Sequence, residues 1–243
     1  MNENLVIALA ALLIGFSKGG LGGPVPISLT APLLATQMEV PEAIGLMLPL
    51  LLFADVFALK VYWMKWEMRY FKLLMPTALI GIVIGSALLG WLPEEILRRS
   101  MGVFVLTIVG YKLISDRLES VTYEPRSWHG YFAGWLAGFG SSIANAGSPP
   151  FTAYMLLHEV SPVTFIGTTT WFFAVLNILK LPLYLMSGVI DGHRLLGIYW
   201  AVPIIPAGVW IGRKLIDRIN AKAFELLMLG LLALMSIYLI AGG

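Results

Sequence analysis

The chain has 243 residues, 58% of them hydrophobic and only 12% charged, with no cysteine and a formal net charge of +2. Mean hydropathy is +0.84, whereas soluble domains carry about 25% charged residues, so an ordinary soluble fold, a disordered chain and a coiled coil are all excluded. Disulfides and thiolate metal sites cannot form, and so small a net charge leaves no footprint for nucleic acid.

Along the chain, Met1-Asn2-Glu3-Asn4 has no basic run ahead of the apolar stretch, so Leu5 onward reads as mature protein rather than a signal peptide. Residues 5–16 are apolar but only 12 long, about 18 Å as a helix. Residues 17–24, Ser-Lys-Gly-Gly-Leu-Gly-Gly-Pro, break that helix. A second short stretch, 26–38, follows, starting at Pro26. Neither short stretch covers a hydrocarbon core of roughly 30 Å, so the pair reads as a re-entrant hairpin of two half-depth helices. Three spanning helices follow at 43–62, 71–92 and 100–113, the last short enough to extend into its flanks. Residues 115–128 form a cytoplasmic linker. The order then repeats: short stretches at 128–139 and 150–159 surround a break at 140–149, with spans at 165–186, 195–211 and 223–241.

The halves share residues in register. Gly15-Phe16 matches Gly138-Phe139 at an offset of 123. Thr30-Ala31 matches Thr152-Ala153, Ile44-Gly45 matches Ile166-Gly167, and Asp55 matches Asn177, all at 122. Gly81 and Gly85 match Gly208 and Gly212 at 127. Charge supplies orientation. Lys60, Lys65, Arg69 and Lys72 crowd the first loop of the first half, whereas Arg213, Lys214, Arg218 and Lys222 crowd the second loop of the second half. Basic loops stay cytoplasmic, so equivalent loops face opposite sides. The expectation is an all-α integral membrane protein of two inverted repeats, residues 1–114 and 129–243. Each is a re-entrant half-helix hairpin plus three transmembrane helices.

In inverted-repeat transporters, broken helices meet at the midplane and bind substrate between them. The helices expected to start at Pro26 and Pro150 point positive dipole ends at the breaks, and free backbone N–H groups there favour an anion. The candidate substrate-binding residues are Ser17, Lys18, Gly19, Gly20, Gly22 and Gly23 at one tip, and Ser141, Ser142, Asn145, Gly147 and Ser148 at the other. The competing reading is that the glycines only permit close helix packing, and that Lys18 snorkels to the surface. Asp55 and Asn177 fall at matching midplane depth. Intramembrane ionisable groups mark functional sites, so Asp55 either carries a coupling proton, holds Lys18, or makes a structural hydrogen bond between helices. Lys180, one turn past Asn177, faces the same cavity or pairs with another polar group. Trp63, Trp66, Trp91, Trp128, Trp171 and Trp200 fit an interfacial aromatic belt.

An enzyme is not expected. Gly15-Phe16-Ser17-Lys18-Gly19 fits G-x-S-x-G literally, but that motif needs a strand-to-helix elbow and nothing here is a strand. His129, His158 and His193 fall near segment ends away from Ser17. No Walker, HExxH or clustered metal-ligand pattern occurs, so no metal or cofactor is expected.

The stretch from Gly15 to Pro24, followed by Thr30-Ala31-Pro32 and Ile44-Gly45, resembles the sulfite exporter TauE/SafE family. Gly138-Phe139-Gly140 through Gly147-Ser148-Pro149 is similar to that family's second copy. The resemblance implies secondary export of a small anion, sulfite or an organosulfur compound such as a sulfonate, across a prokaryotic plasma (inner) membrane. A passive anion channel is the alternative. The partners expected are the small anionic substrate, the lipid bilayer and a coupling proton, with a homo-oligomer left open.

Overall fold

A computed structural model describes residues 2–19, 25–115, 126–158, 160–190, 192–215 and 220–242. The described residues contain eleven α-helices and no strand: α1 Glu3–Lys18, α2 Val25–Leu34, α3 Val40–Val61, α4 Met68–Trp91, α5 Glu94–Ser115, α6 Ser127–Ala144, α7 Ser148–Leu156, α8 Pro162–Met186, α9 Gly192–Gly197, α10 Ile204–Leu215 and α11 Ala221–Ile240. Four helices, α3, α4, α8 and most of α11, are long and apolar enough to cross a membrane. Most of the expected linker and the first tip beyond Gly19 (Gly20, Leu21, Gly22, Gly23 and Pro24) lie outside the described residues.

Several boundaries differ from expectation. The span expected at 195–211 is not one helix: α9 ends at Gly197, a 3₁₀ turn occupies Tyr199–Ala201, and α10 begins at Ile204. Pro203 removes a backbone donor and constrains the residue before it, which separates the two pieces. The expected helix at 100–113 extends on both sides into α5, whose first turn holds Glu94 and Glu95. The helices leading into the breaks are longer than half-depth. At 16 and 18 residues, α1 and α6 reach about 24 and 27 Å. Asn2 lengthens α1 by capping the Asn4 N–H at 3.2 Å. The small residues Gly140–Ala144 stay helical in α6 because they pack on neighbouring helices, Gly140 against Phe104 of α5 and Ser142 against Gly85 of α4. The second break therefore shrinks to residues 145–147, and α7 starts at Ser148 rather than Pro150.

The core is organised by helix pairs that approach closely. Helix α4 lies along α6, and α1 along α10. Glycine makes both contacts possible. A Cβ on Gly138 would collide with the Ala78 carbonyl, one on Gly81 with the Trp135 carbonyl, and one on Gly85 with the Ser142 side chain. In the other pair, a Cβ on Gly15 would sit 2.8 Å from the Gly208 Cα, and one on Gly212 3.2 Å from the Phe16 carbonyl oxygen. Without a hydrophobic drive between helices in lipid, such backbone proximity is a main source of association.

At the centre α3 and α8 run antiparallel. Gly45, sixth in α3, abuts the Val189 carbonyl just beyond α8, and Gly167, sixth in α8, abuts the Lys65 carbonyl just beyond α3. The 62–67 connection docks there: the Glu67 N–H donates to Thr168 Oγ1 at 3.0 Å, and Trp66 stacks on Trp171 with centroids 4.6 Å apart. Trp171 is thus a packing residue, while Trp63, Trp91 and Trp128 are exposed. In the first half, Glu94 accepts the Val40 N–H at 3.0 Å, and Arg98 reaches the Ala35 and Met38 carbonyls at 2.7 and 3.3 Å. That clamp fixes where α2 turns into α3.

Gly138→Ala should lower thermal stability in detergent by about 1–3 kcal/mol, because the added methyl meets backbone and cannot be relieved by a rotamer change. Gly110 has open space around its Cα, so Gly110→Ala should be neutral or stabilise by about 0.5–1 kcal/mol. Tryptophan-fluorescence melting curves check both.

Candidate functional site

The final turn of α1 carries Ser17 and Lys18 into the interior and is closed by Gly19, whose N–H donates to the Gly15 carbonyl at 2.8 Å. The final turns of α6 carry Ser141 and Ser142, and the helix ends at Asn145 in the left-handed conformation, φ 49°. Asparagine tolerates this region better than most residues other than glycine. The turn is tightened by the Ala146 N–H, which donates to the Gly140 carbonyl at 2.9 Å. Two residues later α7 begins, with Gly147 as an N-cap that offers no side-chain acceptor.

Between the two tips lies the crossing of α3 and α8. Asp55 is the sixteenth residue of α3 and Asn177 the sixteenth of α8, and they meet there. Asn177 Nδ2 donates to Asp55 Oδ2 at 2.7 Å, and Lys18 Nζ pairs with Asp55 Oδ1 at 2.5 Å. Asp55 is 2% exposed, so its charge is held away from water and depends on those two donors. Of the three roles open to Asp55, holding Lys18 and bonding another helix are both present in the structure.

Lys180 is fully buried one turn beyond Asn177. Its ammonium donates to the Ser141 carbonyl at 3.2 Å, to Ser141 Oγ at 3.1 Å and to Asn145 Oδ1 at 3.2 Å, all neutral acceptors. Tyr184 OH donates to the Ser142 carbonyl at 2.9 Å, and Asn145 Nδ2 lies 3.3 Å from Met47 Sδ. The cluster therefore holds two lysines and one carboxylate.

A cavity of about 200 Å³ opens beside the crossing, lined by Ser17, Lys18, Ser141, Asn145, Ser148 and Asn177 from the sequence-derived set. It is smaller than the roughly 300–1,000 Å³ typical of drug-sized ligands, which suits a small solute. Both tips contribute to it. It extends toward the 62–67 connection between Leu51, Ala58 and Tyr62 of the first half and Phe165, Thr169 and Phe173 of α8. An adjoining cavity of about 320 Å³ shares Lys18, Ala58 and Tyr62 and adds Lys60 and Arg213.

Other candidates serve packing. Ser142 is fully buried with its hydroxyl 3.4 Å from the Ile82 carbonyl. A Cβ on Gly19 would meet the Val209 carbonyl at 2.7 Å, and one on Gly147 would collide with the Ala137 carbonyl. Lys180 lies behind the cavity wall formed by Ser141 and Asn145. Sequence reasoning missed Thr152, Thr169, Thr170 and Tyr62 in the lining. The polar run Thr168–Thr170, two turns before Asn177 in an otherwise apolar helix, was the available signal.

Asn145→Val should destabilise the protein by about 1–3 kcal/mol, since a β-branched residue is strained at positive φ. Asn145→Asp should melt near wild type, as aspartate also tolerates that backbone and can receive Lys180. Thermal unfolding of the purified variants measures both.

The sequence matches the family description sulfite exporter TauE/SafE over residues 7–239. No curated protein and no solved structure matches the chain with significance. With apolar spanning helices and a match across nearly its whole length, the chain is a multi-pass membrane protein that belongs to the TauE/SafE family of sulfite exporters.

Proposed function

We propose that the protein is a secondary exporter of a small anion, sulfite or an organosulfur compound such as a sulfonate. In this reading it works by alternating access between two inverted repeats in the plasma membrane. The observation that carries the reading is the charge composition of the buried cluster. Lys18 and Lys180 are opposed by the single carboxylate of Asp55, and the cavity beside them is walled by both broken tips. Burying an uncompensated ammonium is costly, and an oxyanion in the cavity would supply the missing negative charge. The start of α7 adds its positive dipole end, with Ser148 at the cavity wall.

Helix pairing supports the repeats. Exchanging the halves turns the α4–α6 contact into the α10–α1 contact, and the α3–α8 crossing into itself at Asp55 and Asn177. The matched glycines sit at those contacts. An odd number of crossings per half requires the inversion, consistent with the reversed basic loops.

The Lys18–Asp55 pair suggests the coupling step. An anion that takes Lys18 displaces Asp55, and the freed carboxylate, no longer paired in a poorly hydrated site, takes up a proton. Anion and proton then move together, in a direction set by their gradients.

In proteoliposomes, wild-type protein should show sulfite counterflow, which a passive channel would not. Lys18→Gln should weaken sulfite binding about tenfold or more, the loss of one charged hydrogen bond of about 1.5–3 kcal/mol, and Lys18→Arg should weaken it less. Asp55→Asn should bind sulfite yet lose the accompanying proton movement, read with a pH-sensitive dye. Unaltered sulfite binding in Lys18→Gln would move the site elsewhere.

Topology gives an independent check of the inversion. Cysteines at Lys65 and Lys214 should both react with an impermeant thiol reagent from the same face. Labelling from opposite faces would refute it.

A further inference from the structure

We propose a second anion site on the far side of the Asp55–Asn177 crossing, closed in this structure, with Lys180 as its cation. The proposal rests on the alternating-access reading and extends it to a state in which the open and closed halves exchange.

The sequence register at 122 pairs four wall residues of the open cavity with residues of the other half, while a fifth pair, Leu51 and Phe173, lines that cavity from both halves. Thr152 pairs with Thr30, Ile166 with Ile44, Thr169 with Met47, and Tyr62 with Tyr184. The first member of each pair lines the cavity. The second is sealed: Thr30, Ile44, Met47 and Tyr184 are each 0% exposed, against 40% for Ile166. Two equivalent pieces of chain thus hold unlike conformations, one parted and one packed. Nothing in the shared register obliges the first half to be the packed one, so an exchanged arrangement is accessible. It would open a cavity toward the face opposite the basic 62–67 connection, because α3 and α8 are antiparallel.

The lysines follow the same logic. At the junction of tip and crossing helix, Lys18 on the first tip corresponds to Ser141 on the second at an offset of 123, and Ala58 on α3 corresponds to Lys180 on α8 at 122. Each junction therefore carries one lysine, on opposite partners. In the parted junction Lys18 reaches the cavity. In the packed junction the Lys180 ammonium donates to Ser141 and Asn145 oxygens and lies 5.9 Å from the Tyr184 ring centroid, with no carboxylate bonded to it among the described residues. Parting that junction removes neutral acceptors from a buried ammonium, and a small oxyanion replaces them. The substrate would then be released by Lys18 on one face and held by Lys180 on the other.

The chain has no cysteine, so single reporters can be introduced without removing native thiols. Met47→Cys and Thr169→Cys would be treated with an impermeant methanethiosulfonate in oriented vesicles without sulfite, and sulfite flux measured separately in the same vesicles. Thr30→Cys and Thr152→Cys serve as a second pair if the first fails to fold. Thr169→Cys should react from the basic face. Met47→Cys should react only from the opposite face, about tenfold or more slowly, as a minor state requires. Lys180→Gln should raise the half-saturating sulfite concentration about tenfold from the opposite face and by a smaller factor from the basic face, where Lys18 holds the anion directly. Sulfite flux with Met47→Cys and Thr30→Cys inert from the opposite face would overturn the second site and leave the transporter reading standing. Opposite-face labelling without sulfite flux in wild-type protein would show the exchanged arrangement but sink the sulfite-transport reading, and the second anion site with it.

Discussion

The structure depends on one carboxylate. Asp55 lies where α3 and α8 cross, and both of its oxygens are committed, one to Lys18 from the first tip and one to Asn177 from the opposite helix. A buried carboxylate persists only while such donors surround it. The position of α1 relative to α3 and the crossing of α3 with α8 are therefore tied through a single side chain. The small residues of α4, α6, α1 and α10 allow the outer helices to close around that point. Any ligand that competes for Lys18 acts directly on the tie between the two halves.

The same crossing separates an open side from a sealed one. The Thr169, Thr170 and Asn177 side chains face an aqueous-sized space, while Met47, Tyr184 and Lys180 across the crossing are sealed. Polarity is distributed so that each half contributes neutral donors and one lysine, and only the first half contributes a carboxylate. A monovalent or divalent oxyanion complements that composition; a cation does not.

Much of the candidate site was legible in the sequence, because intramembrane polar residues are rare and therefore conspicuous. Lys18, Asp55, Asn177 and Lys180 were all visible as departures from apolar helices, and the register between halves located Asp55 opposite Asn177. Helix lengths near the breaks were less legible. Gly140 to Ala144 read as a break because their composition is helix-poor, yet packing against α4 and α5 keeps them helical, an instance of tertiary contact overriding propensity. The interruption between α9 and α10 is hidden within an apolar run, where only Pro203 and Pro206 mark it. The direction of the Lys180 ammonium, toward the Ser141–Asn145 tip, could not be read from spacing, since both tips lie at similar depth.

The most direct test of the account is to locate the anion. Selenite is the heavier congener of sulfite, and selenium scatters anomalously, so crystals of the protein grown with selenite would mark its position without ambiguity. The account predicts an anomalous peak in the cavity within hydrogen-bond reach of Lys18, between Ser17 and Asn145. A protein that transports selenite but places the peak elsewhere, with the Lys18–Asp55 pair undisturbed, would contradict it.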